Sequence, residues 1–155
     1  MQTAYQMVWM SAERTPNHLA LVDDLTNRSL TYSELIAEVD IIAAGLWHKG
    51  IRKGDRVATV LPSLFEHCLL LLALQRLCAV PALINFRLTP EEISSLIKEG
   101  NIEAAVILPD KELLHVVKKT LPDNGVLLTI GKFLTGAERF EACRGDPKRL
   151  LFPKP

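Results

Sequence analysis

A hydroxyl residue followed three positions later by a glutamate, just before an apolar stretch, occurs at Thr31/Glu34, Ser63/Glu66 and Thr89/Glu92. When the hydroxyl accepts from the third helical amide and the carboxylate reaches back to the cap, two otherwise unpaired donors are satisfied together. Each pair therefore predicts a helix start. After the first, Leu35, Val39, Ile42 and Leu46 recur at helical spacing and share one face. Gly50 ends that helix by taking a left-handed conformation, with Ile51 packing back. After the third, Pro90 takes the first helical position, Ile93, Leu96 and Ile97 form the apolar stripe, and Gly100 is the stop. Helices are predicted near 33–49, 64–78 and 90–99.

Short apolar or β-branched runs bounded by turn residues lie between them, at Arg56 to Leu61, Val80 to Ile84 and Ala104 to Leu108. This alternation predicts an α/β fold of βα units with a mainly parallel sheet, its strands covered by helices on both faces. Val80 to Ile84 reads as such a buried strand, with the reservation that Pro81 lacks an amide donor and fits a strand start or an edge. Upstream, Leu19 to Val22 and Ser29 to Tyr32 flank Asp23-Asp24-Leu25-Thr26-Asn27-Arg28 and predict an N-terminal β-hairpin with a polar loop. A helix before Pro16 is expected to cover one edge. Downstream, Lys111 to Thr120 predicts a helix capped by Asp110, and Val126 to Ile130 a further strand. Beyond Gly131 the periodicity fades. Ala137 to Pro155, with Gly145-Asp146-Pro147 and Phe152-Pro153-Lys154-Pro155, has the composition of a surface tail or linker.

With 155 residues and 48% hydrophobic content, the chain can bury one sizeable core. Its 18 basic and 18 acidic residues cancel and are scattered, which argues against nucleic acid or anionic lipid as a partner. Cys68, Cys78 and Cys143 are odd in number and lack CxxC spacing, so reduced thiols and a cytoplasmic setting are expected. Cys68 and Cys78 are read as small hydrophobes in apolar surroundings. The N-terminus lacks the basic start and apolar stretch of a secretory signal. The most apolar run, Cys68 to Leu74, is fenced by Glu66, His67, Gln75 and Arg76, far short of the roughly 20 residues of a membrane span.

The chemical candidates are weak. Gly125, Gly131 and Lys132 suggest a phosphate loop, but five residues rather than four separate the glycines, and Phe133 stands where Ser or Thr is needed. His18, His48, His67 and His115 are isolated in different predicted elements and form no HxxxH pair. Asp23 and Asp24 fit a hairpin turn. Ser63, after Pro62, stands at a helix start whose amides suit an anion, although capping explains it equally. Trp47 reads as packing rather than as a stacking platform.

Leu30-Thr31-Tyr32-Ser33-Glu34-Leu35, Gly50-Ile51-Arg52-Lys53-Gly54-Asp55-Arg56-Val57-Ala58 and Leu61-Pro62-Ser63-Leu64-Phe65-Glu66, in that order and spacing, resemble the N-terminal segment of the AMP-forming adenylate-forming superfamily. The resemblance runs from about Ser11 to Leu108. Asn85-Phe86-Arg87-Leu88 followed by Glu91-Glu92-Ile93 is more similar to acyl-CoA synthetases than to peptide-synthetase adenylation domains. Cys78 stands where glycine is common in these enzymes, and Ser63 where asparagine is common.

The resemblance implies that residues 1–136 are part of the large N-terminal domain and that 137–155 lead toward further chain. It implies a complete enzyme in which ATP and a small-molecule carboxylic acid give an acyl-adenylate that coenzyme A converts to a thioester, with Mg²⁺ assisting. The superfamily's Thr-Ser-Gly-rich loop, its later acidic motifs and its C-terminal lysine have no counterpart here. No catalytic, cofactor-binding or metal-binding residue is therefore carried onto this chain, and an isolated fragment is expected to be inactive. Two alternatives stand beside this one: an adenylation enzyme loading a carrier protein, and a non-catalytic interaction module. A homodimer through exposed sheet edges is a further expectation.

Overall fold

In a computed structural model, which describes residues 3–150, two of the three expected capping boxes form. Thr31 accepts from the Glu34 amide at 3.4 Å while its own N–H donates to Glu34 Oε2 at 2.8 Å, opening the helix Tyr32–His48. Thr89 and Glu92 do the same at 3.3 and 2.8 Å, opening Pro90–Glu99. The Ser63/Glu66 box does not form. The cap is Leu64, which makes no side-chain hydrogen bond, and Glu66 turns instead to Arg28 at 2.6 Å. An unforeseen box, Thr3 with Gln6, opens the first helix.

In chain order the elements are α1 (Ala4–Arg14), β1 (Leu19–Asp23), β2 (Arg28–Thr31), α2 (Tyr32–His48), β3 (Arg56–Val60), α3 (Phe65–Arg76), β4 (Val80–Leu83), α4 (Pro90–Glu99), β5 (Ala104–Ile107), α5 (Lys111–Thr120), β6 (Val126–Thr129) and β7 (Glu138–Arg139). Two 3₁₀ turns follow, at Phe140–Ala142 and Pro147–Arg149. β1 and β2 form the antiparallel hairpin. In its turn, Asp23 accepts from the amides of Leu25 and Thr26, and the Thr26 hydroxyl and then Arg28 hold its carboxyl below the usual range. The other five strands form one all-parallel sheet in the order β4-β3-β5-β6-β7.

Strand alternation sends neighbouring side chains to opposite faces and builds two cores. On one face Val57, Ala104, Val106 and Leu128 pack with α2 and α3, and Tyr5 adds α1. On the other, Ala58, Val60, Ala105 and Ile107 pack with Ile93 and Ile97 of α4 and with Leu113, Leu114 and Val117 of α5. α1 lies on α2 and α3 rather than over a sheet edge as expected.

β4 is an edge strand, and the expectation of burial on both its faces fails: Val80 and Leu83 are 49% and 66% exposed. The amides of Val80 and Ile84 donate inward to Asp55 and Thr59 at 2.8 and 3.1 Å. Positions 81 and 83 therefore face the free edge, so Pro81 removes a donor only where no partner strand lies.

Residues 138–150 depart from the surface tail their composition suggests. Glu138 and Arg139 pair with Leu128 and Thr129, Phe140 and Cys143 are buried, and the Gly145 amide donates to Ile41 of α2 at 3.0 Å. A Cβ on Gly45 would lie 2.4 Å from the Cys143 carbonyl carbon, so α2 needs glycine there to let this segment lie on it. Residues 151–155 lie outside the described residues.

Candidate functional site

The exit of β3 leads to α3 on one face of the sheet, whereas the exits of its neighbours β4 and β5 lead to α4 and α5 on the other. Where adjacent connections diverge like this, a crevice opens at the carboxyl ends of the strands, the usual ligand position in open α/β sheets. In the order β4-β3-β5-β6-β7 the divergence falls between β3 and β5, and the loops at this end of the sheet are residues 61–64 after β3, 84–89 after β4 and 108–110 after β5.

His67, on the first turn of α3, fixes the first of these loops. Its Nδ1 lies 3.1 Å from the Pro62 carbonyl oxygen and its Nε2 3.1 Å from the Thr59 hydroxyl. A neutral ring with the proton on Nδ1 donates to the carbonyl and accepts from the hydroxyl, which ties the buried end of β3 to the helix start. In the second loop, Asn85 Oδ1 accepts from the Arg87 amide at 3.0 Å and the Asn85 carbonyl accepts from Leu88 at 3.2 Å. This turn leaves Phe86 and Arg87 exposed, the guanidinium 5.6 Å from the ring centre. An aromatic surface and a cation thus stand at the carboxyl edge of the sheet.

The remaining sequence candidates do not converge on this crevice. Gly131 donates its amide to Glu141 Oε1 at 2.6 Å and Gly125 to the Pro122 carbonyl at 2.7 Å, and no helix follows Lys132, so these residues form no cradle for phosphate. At Ser63 the Glu66 carboxylate already occupies the first turn of α3, which disfavours an anion there. No group of three or more His, Cys, Asp or Glu suited to a metal ion occurs among the described residues. Trp47 packs against the core beneath the Arg52 guanidinium, 4.5 Å from the ring centre.

The cysteine reading is reversed for two positions. Cys68 and Cys78 are exposed, and Cys143 is the buried thiol, pushed up to about 11 by burial. Cys78 ends α3 at φ +56°, the left-handed region. Its place in the chain therefore favours glycine, which accounts for the glycine common there in the enzymes the sequence resembles and leaves Cys78 as the departure. Gly50 ends α2 at φ +108° as expected, whereas beyond α4 the left-handed residue is Asn101 rather than Gly100.

Sequence reasoning missed the buried polar cluster that joins three helices. Asp40 of α2 accepts from the Tyr5 hydroxyl at 2.9 Å and from Arg76 Nε at 3.1 Å, and Gln75 Oε1 accepts the Tyr5 amide at 3.1 Å. Its signal was present: Asp40 interrupts the apolar face of α2, beside Val39 and Ala43.

The match to known proteins covers most of the chain. Residues 8–148 match the profile of the AMP-binding enzyme family. A 4-chlorobenzoate–CoA ligase of an Arthrobacter species is 39% identical over 106 residues, 68% of this chain and 20% of that protein. A long-chain-fatty-acid–CoA ligase of Mycobacterium tuberculosis is 33% identical over 142 residues, 89% of this chain and 28% of that protein. The matched part of the chain thus spans 20% to 28% of the length of these relatives. In fold it is similar, at TM-score 0.84 and 24% identity, to the crystal structure of a putative long-chain-fatty-acid CoA ligase from Rhodopseudomonas palustris, covering 94% of this chain and 37% of that one. By its match over residues 8–148 this chain belongs to the AMP-binding enzyme family, as an N-terminal segment of the acyl-CoA ligase kind.

Proposed function

We propose that this chain is the scaffold-forming first part of an AMP-forming acyl-CoA ligase, a protein whose whole activates a fatty or other carboxylic acid with ATP and Mg²⁺ and transfers it to coenzyme A. The observation that supports this most is the family match across residues 8–148, carried on a sheet whose carboxyl edge bears the Asn85-Phe86-Arg87-Leu88 turn. In this reading residues 1–136 belong to the large N-terminal domain and 137–155 run toward further chain, the enzyme is cytoplasmic, and coenzyme A rather than a carrier protein is the acceptor. No helix among the described residues is long and apolar enough to cross a membrane.

The 155-residue chain alone neither adenylates nor forms thioesters in this proposal, because its glycine amides near Lys132 are engaged internally and offer no electrostatic stabilisation to a transferring phosphoryl group. Homodimerisation through the open edge of β4 is opposed by Pro81, which leaves the outward-facing side of that strand short of a donor.

Pyrophosphate release and acyl-CoA formation are the test, measured with ATP, Mg²⁺, coenzyme A and a panel of aromatic and aliphatic acids. The longer protein that carries this segment yields both products, and the isolated chain yields neither. Thioester formation by the isolated chain would refute the scaffold reading, and none by the longer protein would refute the ligase reading.

A further inference from the structure

We propose that the groove between α5 and residues 134–136 binds a phosphomonoester, a site separate from the switch crevice and independent of the ligase reading. Lys111, His115 and Lys118 stand at positions i, i+4 and i+7 of α5 and so share one face of the helix. They line a cavity of about 380 Å³ with Leu114, Leu134 and Gly136. No carboxylate lines it. In a chain whose formal charges sum to zero, this is a local concentration of basic groups on a concave surface, which favours an anion.

Two features separate the groove from an ordinary solvated helix face. The side chains of Lys111 and His115 make no hydrogen bond or ion pair among the described residues, so both are available to a ligand. Lys118 is already aimed, because its Nζ donates to the Gly136 carbonyl at 3.3 Å. Gly136 holds that carbonyl in place at φ +103°, and a Cβ there would stand 3.6 Å from Leu114 and 3.7 Å from Lys118 Nζ, inside the groove. The carboxylates of the adjoining cavity of about 620 Å³ are Asp123 and Glu138, and Glu138 is engaged by Lys49. A phosphoryl group seated in the groove would meet the ammonium groups of Lys111 and Lys118, which bind phosphate as point charges. Leu114 and Leu134 supply an apolar wall for the ester's organic part.

An amide NMR titration of the 155-residue chain tests this, using phenyl phosphate, inorganic phosphate and phenol at constant ionic strength. Phenyl phosphate produces saturable shifts at Lys111, His115, Lys118, Thr135 and Gly136, inorganic phosphate shifts the same signals more weakly, and phenol leaves them in place. In the Lys111→Gln/Lys118→Gln variant the affinity for phenyl phosphate drops about tenfold or more, whereas Lys148→Gln leaves it unchanged. The proposal is overturned by shifts that never saturate, by phenol matching phenyl phosphate, by binding centred on Arg87, or by unchanged affinity in the double variant. The substituted lysines are exposed, and the spectrum of each variant reports directly whether it is folded.

Discussion

The two helical layers that sandwich the sheet are built on different principles. The buried side chains of the α4–α5 layer, Ile93, Ile97, Ile102, Leu113, Leu114 and Val117, are all aliphatic, and the hydroxyls of Ser94 and Thr120 that meet at 2.8 Å between the helices are only partly buried. The opposite layer buries Asp40 and Arg76, exposed by 3% and 7%, together with the Tyr5 hydroxyl. α4 and α5 each cover the sheet with one face and meet water with the other. α2 and α3 are covered on further sides, by α1, the hairpin and residues 147–149. Helices packed on several sides have several arrangements of similar apolar burial, and a charge pair at one crossing distinguishes among them. The comparison teaches that aliphatic burial suffices for an outer layer, while the layer carrying α1 depends on one set of polar contacts.

The largest expected effect tests that dependence. Asp40→Leu removes the carboxylate from beside Arg76 and the acceptor of the Tyr5 hydroxyl, and lowers the free energy of unfolding in urea by about 3–5 kcal/mol. Asp40→Leu/Arg76→Met recovers most of that loss, since an apolar pair leaves no buried charge behind. A single-variant loss below about 1 kcal/mol would remove the distinction between the layers. In the aliphatic layer, Ile97→Ala costs about 3 kcal/mol through the cavity it leaves. That loss is the same at every pH at which the chain is folded.

Gly45→Ala probes how firmly residues 138–150 belong to the polar layer. The added methyl meets backbone atoms of Cys143 and Arg144 at 2.4 to 2.6 Å, and main chain yields little. A loss of about 1–3 kcal/mol follows, with faster proteolysis after residue 136. Wild-type stability combined with wild-type protease resistance would show that the segment is not seated on α2.

How legible these regions were follows from the same contrast. The α4–α5 layer could be read directly, because one apolar stripe per helix and local caps at Thr89 and Asp110 determine it. The hairpin was legible for a similar reason, its turn being satisfied within five residues by Asp23, Thr26 and Arg28. The Ser63/Glu66 box failed because a partner 38 positions away, Arg28, competes for the glutamate. Residues 138–150 read as tail because their burial rests on single residues, Phe140 and Cys143, and on two glycines, Gly45 and Gly145, that allow close approach. At the carboxyl edge of the sheet the turn at Asn85 was visible in the sequence. The bridge from His67 to Thr59 was not, since it joins a helix to the strand before it across an unpatterned loop.

Alkaline pH separates the layers without mutation. Burial raises the Tyr5 phenol well above its ordinary value, helped by Asp40, and pushes the Cys143 thiol up to about 11. Both groups are neutral when buried, so each contributes stability that is complete below its unfolded-state value and is lost as pH rises toward the folded one. For Cys143 the loss begins near pH 9 and is about 1 kcal/mol by pH 10, and Tyr5 adds to it above about pH 10. Urea midpoints followed from pH 8 to 10.5 therefore fall, and Tyr5→Phe with Cys143→Ala flattens the slope. A slope unchanged by both substitutions would assign the alkaline loss elsewhere.

The smallest effect tests a point where the chain departs from what local geometry prefers. Cys78 holds φ +56° while its carbonyl accepts from Gly54 at 2.9 Å and the next amide, of Ala79, closes on Leu74 at 2.9 Å. A residue with a Cβ in this conformation costs about 1 kcal/mol or more relative to glycine. Glycine gives back part of that through its greater freedom in the unfolded chain. Cys78 is exposed, so little packing is lost with its side chain. Cys78→Gly is expected to stabilise by about 0.5 kcal/mol, and Cys78→Val, whose branched side chain resists the left-handed region, to destabilise by more than that. If both variants were equally destabilised, the thiol's own contacts rather than backbone conformation would govern this end of α3.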